Sequence, residues 1–255
     1  MQEVTIIIPV HNIAKRGLER VYYSLLSLSK QTIPIRAIVV DSSNPKAYKE
    51  LNEGIKHFDF CQHIPTKERE FNLCRLFNKG IHLSGTPWIA TTGADFLFAP
   101  DFFEAMQARQ DKDTLLLKQV RSLAMTDPIT FDTVTNWTFP ERDFTYNGSK
   151  DACGGIQYAH IDLWKEINGY DNRMAFWGGM DEDIRNRATK YKAVHWVKES
   201  IFFHMPHIQE KLKTTFHIKQ AKKNWKIKDA PRPRSIADGL AQIVKTDIIN
   251  GKIRI

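Results

Sequence analysis

The sequence predicts an α/β fold with a doubly wound, mainly parallel sheet, because strand-like and helix-like segments alternate through its first half. VTIIIPV at 4–10 is an apolar strand, followed by an amphipathic helix at 17–31. IRAIVVD at 35–41 is a second continuous apolar run, typical of a strand covered on both faces. Residues 70–83 predict a further helix, and WIATTGAD at 88–95 predicts the next strand.

The second half is less regular. LLLKQVRSL at 115–123 predicts a strand, and a long Thr- and Asp-rich connection runs from there to about residue 150. Connections of that length are usually functional. Helices are predicted near 160–167 and 181–191, with a strand, VHWVKESIFFH, at 194–204. The remainder, from residue 208 onward, predicts a helical extension.

Positive charge is concentrated late in the chain. The formal net charge is +8, and the range 211–234 contains nine basic residues against one acid, Asp229. Such a segment is either a solvated helix face or a surface that attracts a phosphate-rich partner, such as nucleic acid or an anionic membrane. The nine basic residues are Lys211, Lys213, Lys219, Lys222, Lys223, Lys226, Lys228, Arg232 and Arg234.

Hydropathy and cysteine usage predict the location of the protein. The sequence has no run of about 18 consecutive apolar residues, the length that a membrane span requires. Its three cysteines form no CxxC pair, which favours a reducing compartment. We therefore expect no transmembrane segment and a cytoplasmic location, in a bacterium or a phage-infected cell. The sequence leaves the oligomeric state open.

Two acids stand at the ends of predicted strands. Asp41 ends the strand at 35–41, and Asp95 ends the strand at 88–95. Ligands of doubly wound sheets bind beyond the carboxyl ends of the strands, so both acids are candidate binding residues. A carboxylate at Asp95 can coordinate a divalent cation that neutralises a diphosphate. The alternative is that Asp95 only orders its own loop.

The segment INGYDNRMAFWGGMDEDIRNR, at 167–187, joins a glycine-bearing aromatic loop to three consecutive acids. Acids are favoured at a helix start by unpaired N–H groups and the helix dipole, which is a structural role for at least one of them. An acid held in a cleft can instead act as a general base toward a hydroxyl. Trp177, with the flexible pair Gly178 and Gly179, suits contact with a sugar ring or a base, and Trp177 equally suits a core position. The three acids are Asp181, Glu182 and Asp183.

WGGMDEDIRNR, preceded by INGYDNR, resembles the acceptor-and-base segment of GT-A glycosyltransferases of the β-1,4-galactosyltransferase and chondroitin-polymerase type. Three more segments agree with that family in order and spacing. TIIIPVHN resembles its first strand and nucleotide loop, and VVDSS its second-strand acid. FNLCRLFNKGIHLSGTPWIATTGAD resembles the stretch that leads to its DxD metal motif. The agreement covers about residues 4–207.

The resemblance implies a domain organisation. A GT-A domain would occupy residues 1–207, with a nucleotide-binding half at about 1–100 and an acceptor-binding half at about 101–207. A helical basic extension would follow at 208–255.

The resemblance also assigns a nucleotide pocket. Pro9, His11 and Asn12 would line it, and Asp41 would contact the base, uracil of a UDP-sugar. Arg75 would lie near the diphosphate.

A metal site is implied by the same family. Asp95 would bind Mn²⁺ or Mg²⁺, and His204 and His207 of IFFHMPH would supply further ligands. The sequence departs from the family pattern at Gly93, where the first acid of the metal motif is expected.

Asp181 corresponds to the general base of the family. The implied reaction is a single in-line displacement with inversion, in which Asp181 takes the proton of the acceptor hydroxyl. The backbone of Gly154 and Gly155 would hold donor or acceptor near this base, and Glu182 would contribute to substrate binding. A second departure is Met180, which stands where an acid often helps to bind the acceptor.

Three functions remain open. The first is transfer of a sugar to a saccharide. The second is transfer to a hydroxymethylated pyrimidine in DNA, which the basic segment favours and which requires extrusion of the base from a duplex. The third is a nucleotide-sugar-binding protein without turnover, suggested by the departures at Gly93 and Met180.

Overall fold

The computed structural model describes residues 3–12, 15–66, 71–139, 153–176, 178–207 and 215–229. Their strands form a sheet of seven strands and a sheet of three, which confirms the predicted α/β class. The strands are β1 (Val4–Val10), β2 (Ile35–Asp41), β3 (Cys61–Pro65), β4 (Trp88–Thr92), β5 (Phe96–Phe98), β6 (Thr114–Leu117), β7 (Arg121–Ser122), β8 (Ile156–His160), β9 (Ala193–Trp196) and β10 (Phe202–His204).

Helices cover the large sheet. In the described ranges they are α1 (Lys15–Leu28), α2 (Pro45–Ile55), α3 (Leu73–Leu83), α4 (Phe102–Gln107), α5 (Phe131–Thr135), α6 (Ile161–Glu166), α7 (Met180–Tyr191) and α8 (Thr215–Asp229). The helix α2 is absent from the sequence predictions. Its start is nevertheless specified locally, because Asn44 accepts hydrogen bonds from two backbone N–H groups and Pro45 occupies the first turn.

The large sheet has the order β3-β2-β1-β4-β8-β6-β9. Its pairs are parallel except that β8 runs antiparallel to β4 and β6. The small sheet has the order β5-β10-β7. The carboxyl ends of β1, β2 and β4 therefore meet at one edge, where a ligand is expected in such a sheet.

Both faces of the large sheet are buried. Along β1 the side chains alternate, so that Ile6 and Ile8 join one core cluster and Ile7 joins the other. The first cluster includes Leu25 of α1, and the second includes Phe77 of α3. Burial on both sides explains why β1 and β2 read as continuous apolar runs.

Two predicted strands are wrong in extent. The segment 115–123 is divided between β6 and β7, and the segment 194–204 is divided between β9 and β10, so that each contributes to both sheets. Lys118 links the two segments that pass from the large sheet to the small one, because its buried Nζ donates to the carbonyls of Val197 and Lys198 at 3.2 and 3.0 Å. Ser200, at φ 61°, turns the chain before β10.

The described part of the predicted extension is α8, and the rest of 208–255 lies outside the described residues. Asn224 of α8 is fully buried, and its Nδ2 donates to the Ala175 carbonyl at 2.8 Å. This helix therefore packs against the loop that leads to α7. No helix in the described ranges is long and apolar enough to cross a membrane.

Candidate active site

The predicted nucleotide residues lie at the carboxyl end of β1. Pro9 pairs with Val40 in the β1–β2 ladder, and His11 follows the strand. The His11 Nδ1 atom lies 2.9 Å from the Ser42 hydroxyl, and its ring stacks on Phe71 at 5.1 Å. Burial lowers the pKa of His11, against the raising effects of its bond to the Ser42 backbone and of a nearby carboxylate. The lowered pKa favours the neutral imidazole, and the stacked ring presents a flat face at the predicted nucleotide pocket.

Asn12 ties this loop to the loop after β2. Its backbone is left-handed at φ 43°, a conformation that asparagine tolerates better than most residues. Its Oδ1 accepts from the Asn44 backbone N–H at 2.8 Å, and its own N–H donates to the Ser43 hydroxyl at 2.7 Å. Both loops are thereby joined where the predicted pocket lies.

Asp41 has protein partners for both carboxylate oxygens. Its Oδ1 accepts from the Ser43 N–H at 2.7 Å, and its Oδ2 lies 2.9 Å from Nε2 of His63. Asp41 is 1% exposed. It thus shapes the loop after β2, and its direct contact with a base stays a prediction.

His63 is a residue of this region that the sequence analysis missed. It lies on β3, stacks on Tyr48 at 4.3 Å, and places its Nδ1 3.1 Å from Asn52 Oδ1. No motif marks a single histidine in CQHIP, so only the pairing of β2 with β3 reveals its partner.

Arg75 lies in the first turn of α3. Its backbone N–H donates to the capping Asn72 at 3.0 Å, and its side chain is exposed. Contact with a diphosphate stays a prediction.

The three predicted metal ligands converge. Asp95 lies between β4 and β5, while His204 ends β10 and His207 follows it. The Nε2 atoms of His204 and His207 lie 3.2 and 3.3 Å from Asp95 Oδ2. The β5–β10 ladder fixes this meeting by pairing Phe96 with His204, and the Met205 N–H donates to the Asp95 carbonyl at 2.9 Å.

Asp95 is held as a carboxylate. Burial alone would raise its pKa, but the hydrogen bonds and charges of His204 and His207 hold the pKa of this carboxyl well below its usual range. One ligand atom from each residue lies within 4.8 Å of the others. A carboxylate and two imidazoles at that spacing fit a divalent cation.

Gly93, where the family pattern has an acid, is closely surrounded. A Cβ atom at this position would lie 2.8 Å from the Phe96 ring and 3.0 Å from Asp95 Oδ1. An acidic side chain at residue 93 would therefore require Phe96 or Asp95 to move.

Asp181 lies in the first turn of α7, after Gly179 at φ 79°. Its Oδ1 accepts from Nε2 of Gln157 at 3.1 Å. Burial and the charge of Glu182 raise the pKa of Asp181 to about 6, against the lowering effect of the Gln157 hydrogen bond. A carboxyl in this range can hold and release a proton near neutral pH, as a general base must.

The neighbours of Asp181 differ in role. Asp183 forms a two-point ion pair with Arg187, at 3.0 Å to Nε and 2.7 Å to Nη2, so it is the structural acid of the three. Glu182 is partly exposed. Met180 is 2% exposed within the second core cluster, which explains why no acid occupies that position.

Gly154 lies next to Asp181, and Gly155 lies next to aromatic residues beside the Asp95 cluster. A Cβ atom on Gly154 would lie 3.0 Å from Asp181 Oδ2, and one on Gly155 would lie 3.1 Å from the Phe202 ring. Phe202 contacts Phe96, whose ring lies 5.5 Å from that of His204. Gly154 therefore adjoins the predicted base, and Gly155 adjoins the aromatic rings that flank the predicted ligand His204.

The two glycines before α7 face α8. Gly178 and Gly179 have φ values of 98° and 79°, and Cβ atoms on them would lie 3.7 Å from atoms of Trp225. Helix α8 thus covers one side of these glycines, an arrangement the sequence did not predict. Trp177 lies outside the described residues. The predicted sugar contacts of all three stay predictions.

This architecture, a seven-stranded and mainly parallel sheet covered by helices, is that of GT-A glycosyltransferases. Residues 5–166 match the family described as glycosyl transferase family 2, and residues 138–217 match the family described as N-terminal domain of galactosyltransferase. The chain belongs to glycosyl transferase family 2. A search of curated proteins gave no significant match.

Solved structures share the fold at low identity. GalNAc-T7 with UDP, GalNAc and Mn²⁺ is 15% identical, with a TM-score of 0.61, over 98% of this chain and 55% of that one. The catalytic domain of Drosophila β1,4-galactosyltransferase 7 with xylobiose is 15% identical, with a TM-score of 0.54, over 84% and 74%. S. aureus TarS 1–349 with UDP-GlcNAc is 12% identical, with a TM-score of 0.60, over 97% and 73%. This chain therefore spans about half the length of the GalNAc-T7 chain.

Proposed function

We propose that this protein transfers a sugar from a UDP-sugar to a saccharide hydroxyl, with inversion and with the help of a divalent cation. The observation that carries the proposal is that consecutive glycines adjoin both groups. Gly154 lies against Asp181, and Gly155 lies against Phe202 and Phe96 beside the Asp95 cluster. A donor bound across this pair would have its diphosphate at Asp95 and its anomeric carbon toward Asp181.

Asp181 acts as the general base. Its Oδ1 is engaged by Gln157, whereas its Oδ2 faces Gly154, where no side chain blocks an acceptor. As the hydroxyl attacks the anomeric carbon, its proton passes to Asp181 and the bond to the diphosphate breaks. Attack opposite to the leaving group inverts the anomeric centre.

Asp95, His204 and His207 would hold the cation. Their mixed oxygen and nitrogen donors favour Mn²⁺ over Mg²⁺, which prefers oxygen ligands and retains several waters. When bound, the cation would neutralise the charge that develops on the departing UDP. The choice of UDP is supported by two fold neighbours, GalNAc-T7 with UDP and TarS with UDP-GlcNAc.

A donor-hydrolysis screen tests this function, because water often replaces the acceptor weakly. Nucleotide sugars are incubated with the protein in Mn²⁺, in Mg²⁺ and in chelator, and release of the nucleotide is measured. We expect one UDP-sugar to be hydrolysed fastest in Mn²⁺ and to be inert in chelator. Binding of a donor without hydrolysis or transfer to any glycoside would instead identify a binding protein without turnover. The anomeric configuration of a transfer product, read by NMR, tests inversion.

DNA is a second candidate acceptor, favoured by the surface of α8. Four lysines of this helix are exposed and recur at intervals of three and four residues, so they share one face. Asn224 fixes the helix to the loop before Asp181. The lysine face comprises Lys219, Lys222, Lys223 and Lys226.

Transfer of labelled sugar distinguishes the two acceptors. DNA with hydroxymethylated pyrimidine, the same DNA without modification, and a simple glycoside are compared under one set of conditions. Labelling of the modified DNA alone supports the second candidate. Labelling of the glycoside alone excludes it and assigns α8 to another role.

A further inference from the structure

Gln157 is a buried amide beside the predicted base. It lies on β8, an interior strand of the large sheet, and is 2% exposed. Its Nε2 donates to Asp181 Oδ1 at 3.1 Å and also to the carbonyl of Cys153. Both partners are acceptors only, apart from the protonated form of Asp181.

The other end of the amide is fixed by two hydroxyl groups. Gln157 Oε1 lies 2.7 Å from the Tyr170 hydroxyl and 3.0 Å from the Thr91 hydroxyl, and these hydroxyls lie 2.6 Å apart. All three side chains are buried. Thr91, Tyr170, Gln157 and Asp181 thus form a continuous chain of hydrogen bonds.

This chain sets the orientation of the amide. Rotation of the Gln157 amide by 180° would point Oε1 at the Cys153 carbonyl and the Asp181 carboxylate, and Nε2 at two hydroxyls. The Cys153 carbonyl and the Asp181 carboxylate would then each lose this donor, which is costly inside the protein. The oxygen therefore faces the hydroxyls and the nitrogen faces Asp181.

We propose that Gln157 is a positioning residue for Asp181, which holds Oδ1 against β8 and leaves Oδ2 directed at Gly154 and the acceptor. The proposal rests on the proposed role of Asp181 as the base. Gln157 does not touch the substrate, and acts by restricting the carboxylate to the orientation in which one oxygen is available. Its N–H also favours the charged, proton-accepting form of Asp181.

The titratable groups near Asp181 include one on α7 itself and three on other segments. Glu182 follows it on α7, Cys153 precedes β8, Cys74 lies on α3, and Tyr170 lies in the loop after α6. Burial raises the pKa of Cys153 to about 12, and burial holds the pKa values of Cys74 and Tyr170 well above their usual range. These three stay neutral near pH 7, so Glu182 is the neighbour among them whose charge opposes ionisation of Asp181.

The test replaces Gln157 in the full chain. The Gln157→Leu variant removes the donor to Asp181 at nearly constant volume. We expect the transfer rate at pH 7 to fall by about 10- to 100-fold, and the acid limb of its pH profile to move up by about one pH unit, because the charged form loses a hydrogen bond. UDP binding in Mn²⁺ should be unchanged. The Thr5→Val variant controls for lost stability. It removes a buried hydrogen bond between the Thr5 and Thr86 hydroxyls near the amino end of β1, whereas the predicted site lies at the carboxyl end.

A second variant covers a failure to fold. Gln157→Glu keeps an acceptor for both hydroxyls but places a second carboxyl group against Asp181. Like charges resist joint ionisation, so we expect the acid limb to move up further than in Gln157→Leu.

Direct titration of the Asp181 carboxyl by ¹³C NMR distinguishes an effect of Gln157 on Asp181 from a general loss of stability. A raised Asp181 pKa together with a displaced acid limb supports the proposal. A raised pKa with an unaltered transfer profile would support the contact but remove Asp181 from the role of base. An unaltered pKa and an unaltered profile in both variants would overturn the proposal, as would a loss of rate no larger than that of Thr5→Val.

Discussion

Gly154 lies directly against Oδ2 of Asp181: a Cβ atom at this glycine would lie 3.0 Å from that oxygen. A methyl group at that distance is tighter than ordinary van der Waals contact, so an alanine at residue 154 would displace the Asp181 carboxylate or crowd the acceptor hydroxyl that we propose it binds. The absence of a side chain at residue 154 thus allows the Asp181 carboxylate its present position.

The Gly154→Ala variant is expected to lose transfer by about 10- to 100-fold, because a small displacement of reacting groups has an effect of that order. UDP binding should persist, since the added methyl group would contact Asp181 and would meet none of the three predicted metal ligands within 4 Å. Steady-state kinetics and UDP titration check this. Gly54→Ala is the matched control, because a Cβ atom there meets nothing within 4 Å. Equal activity of the two variants would contradict the prediction.

Asp181→Asn is expected to bind donor normally and to lose transfer by about 10²–10⁴-fold, the usual contribution of a positioned base. In the parent protein the active form is the carboxylate, and the pKa of Asp181 is raised to about 6. Transfer should therefore fall as pH decreases through about 6. Near-normal turnover of Asp181→Asn at pH 7 would remove this residue from the role.

The same substitution should raise stability. Below the unfolded pKa of an aspartate both states are protonated, so ionisation of Asp181 has no effect on unfolding there. Between that value, about 4, and the folded value of about 6, the unfolded state ionises first and the folded state loses stability. The Asp181→Asn variant has no carboxyl group at this position and so lacks this loss. Thermal melting at pH 7 to 8 should thus give a higher Tm for Asp181→Asn, and a difference that disappears at pH 4 or below.

Metal binding is expected to depend on each residue of the cluster. Asp95→Ala and His207→Ala each delete a coordinating atom and should weaken Mn²⁺-dependent UDP binding, measured by calorimetry with and without chelator. His195→Ala, at an exposed position of β9, is the matched control. Full UDP binding and activity in chelator would contradict this and indicate a metal-independent enzyme.

The meeting of Asp95, His204 and His207 could be predicted from sequence because the family resemblance assigned all three and two of them lie at strand ends. Asp95 follows an apolar run and His204 ends another, and the end of a strand is a local property that a pattern reveals. The division of 194–204 into two strands of different sheets did not affect the prediction, since His204 remained the last residue of the second strand.

Gln157 and His63 could not be predicted in the same way. Each is one polar residue within a short strand, and its role depends on residues far away in sequence: Asp181 for Gln157 and Asp41 for His63. Without pairing information, a buried glutamine and a surface glutamine give the same pattern. The contact of α8 with Gly178 and Gly179 is equally non-local. The sequence pattern therefore gave no sign that a helix covers one side of these glycines.

The lysine face of α8 is expected to bind nucleic acid with a strong dependence on salt. Each phosphate that a lysine neutralises releases counterions, so the affinity for duplex DNA should fall by orders of magnitude between about 50 and 200 mM salt. Replacing three lysines of the face by alanine should reduce the slope of log affinity against log salt by about 3, at about 0.9 per contact. The three positions are Lys219, Lys223 and Lys226.

The control removes the same charge elsewhere: three exposed lysines in or beside α2 are replaced by alanine, so both variants have the same net charge. Fluorescence anisotropy with a labelled duplex at several salt concentrations should show a smaller slope for the α8 variant alone. Equal slopes would mean that the attraction depends only on the total charge of the protein, and the face would then be a solvated surface. Because Asn224 anchors α8 to the loop before Asp181, a DNA acceptor also requires the α8 variant to transfer less sugar to modified DNA than the control does. The control positions are Lys46, Lys49 and Lys56.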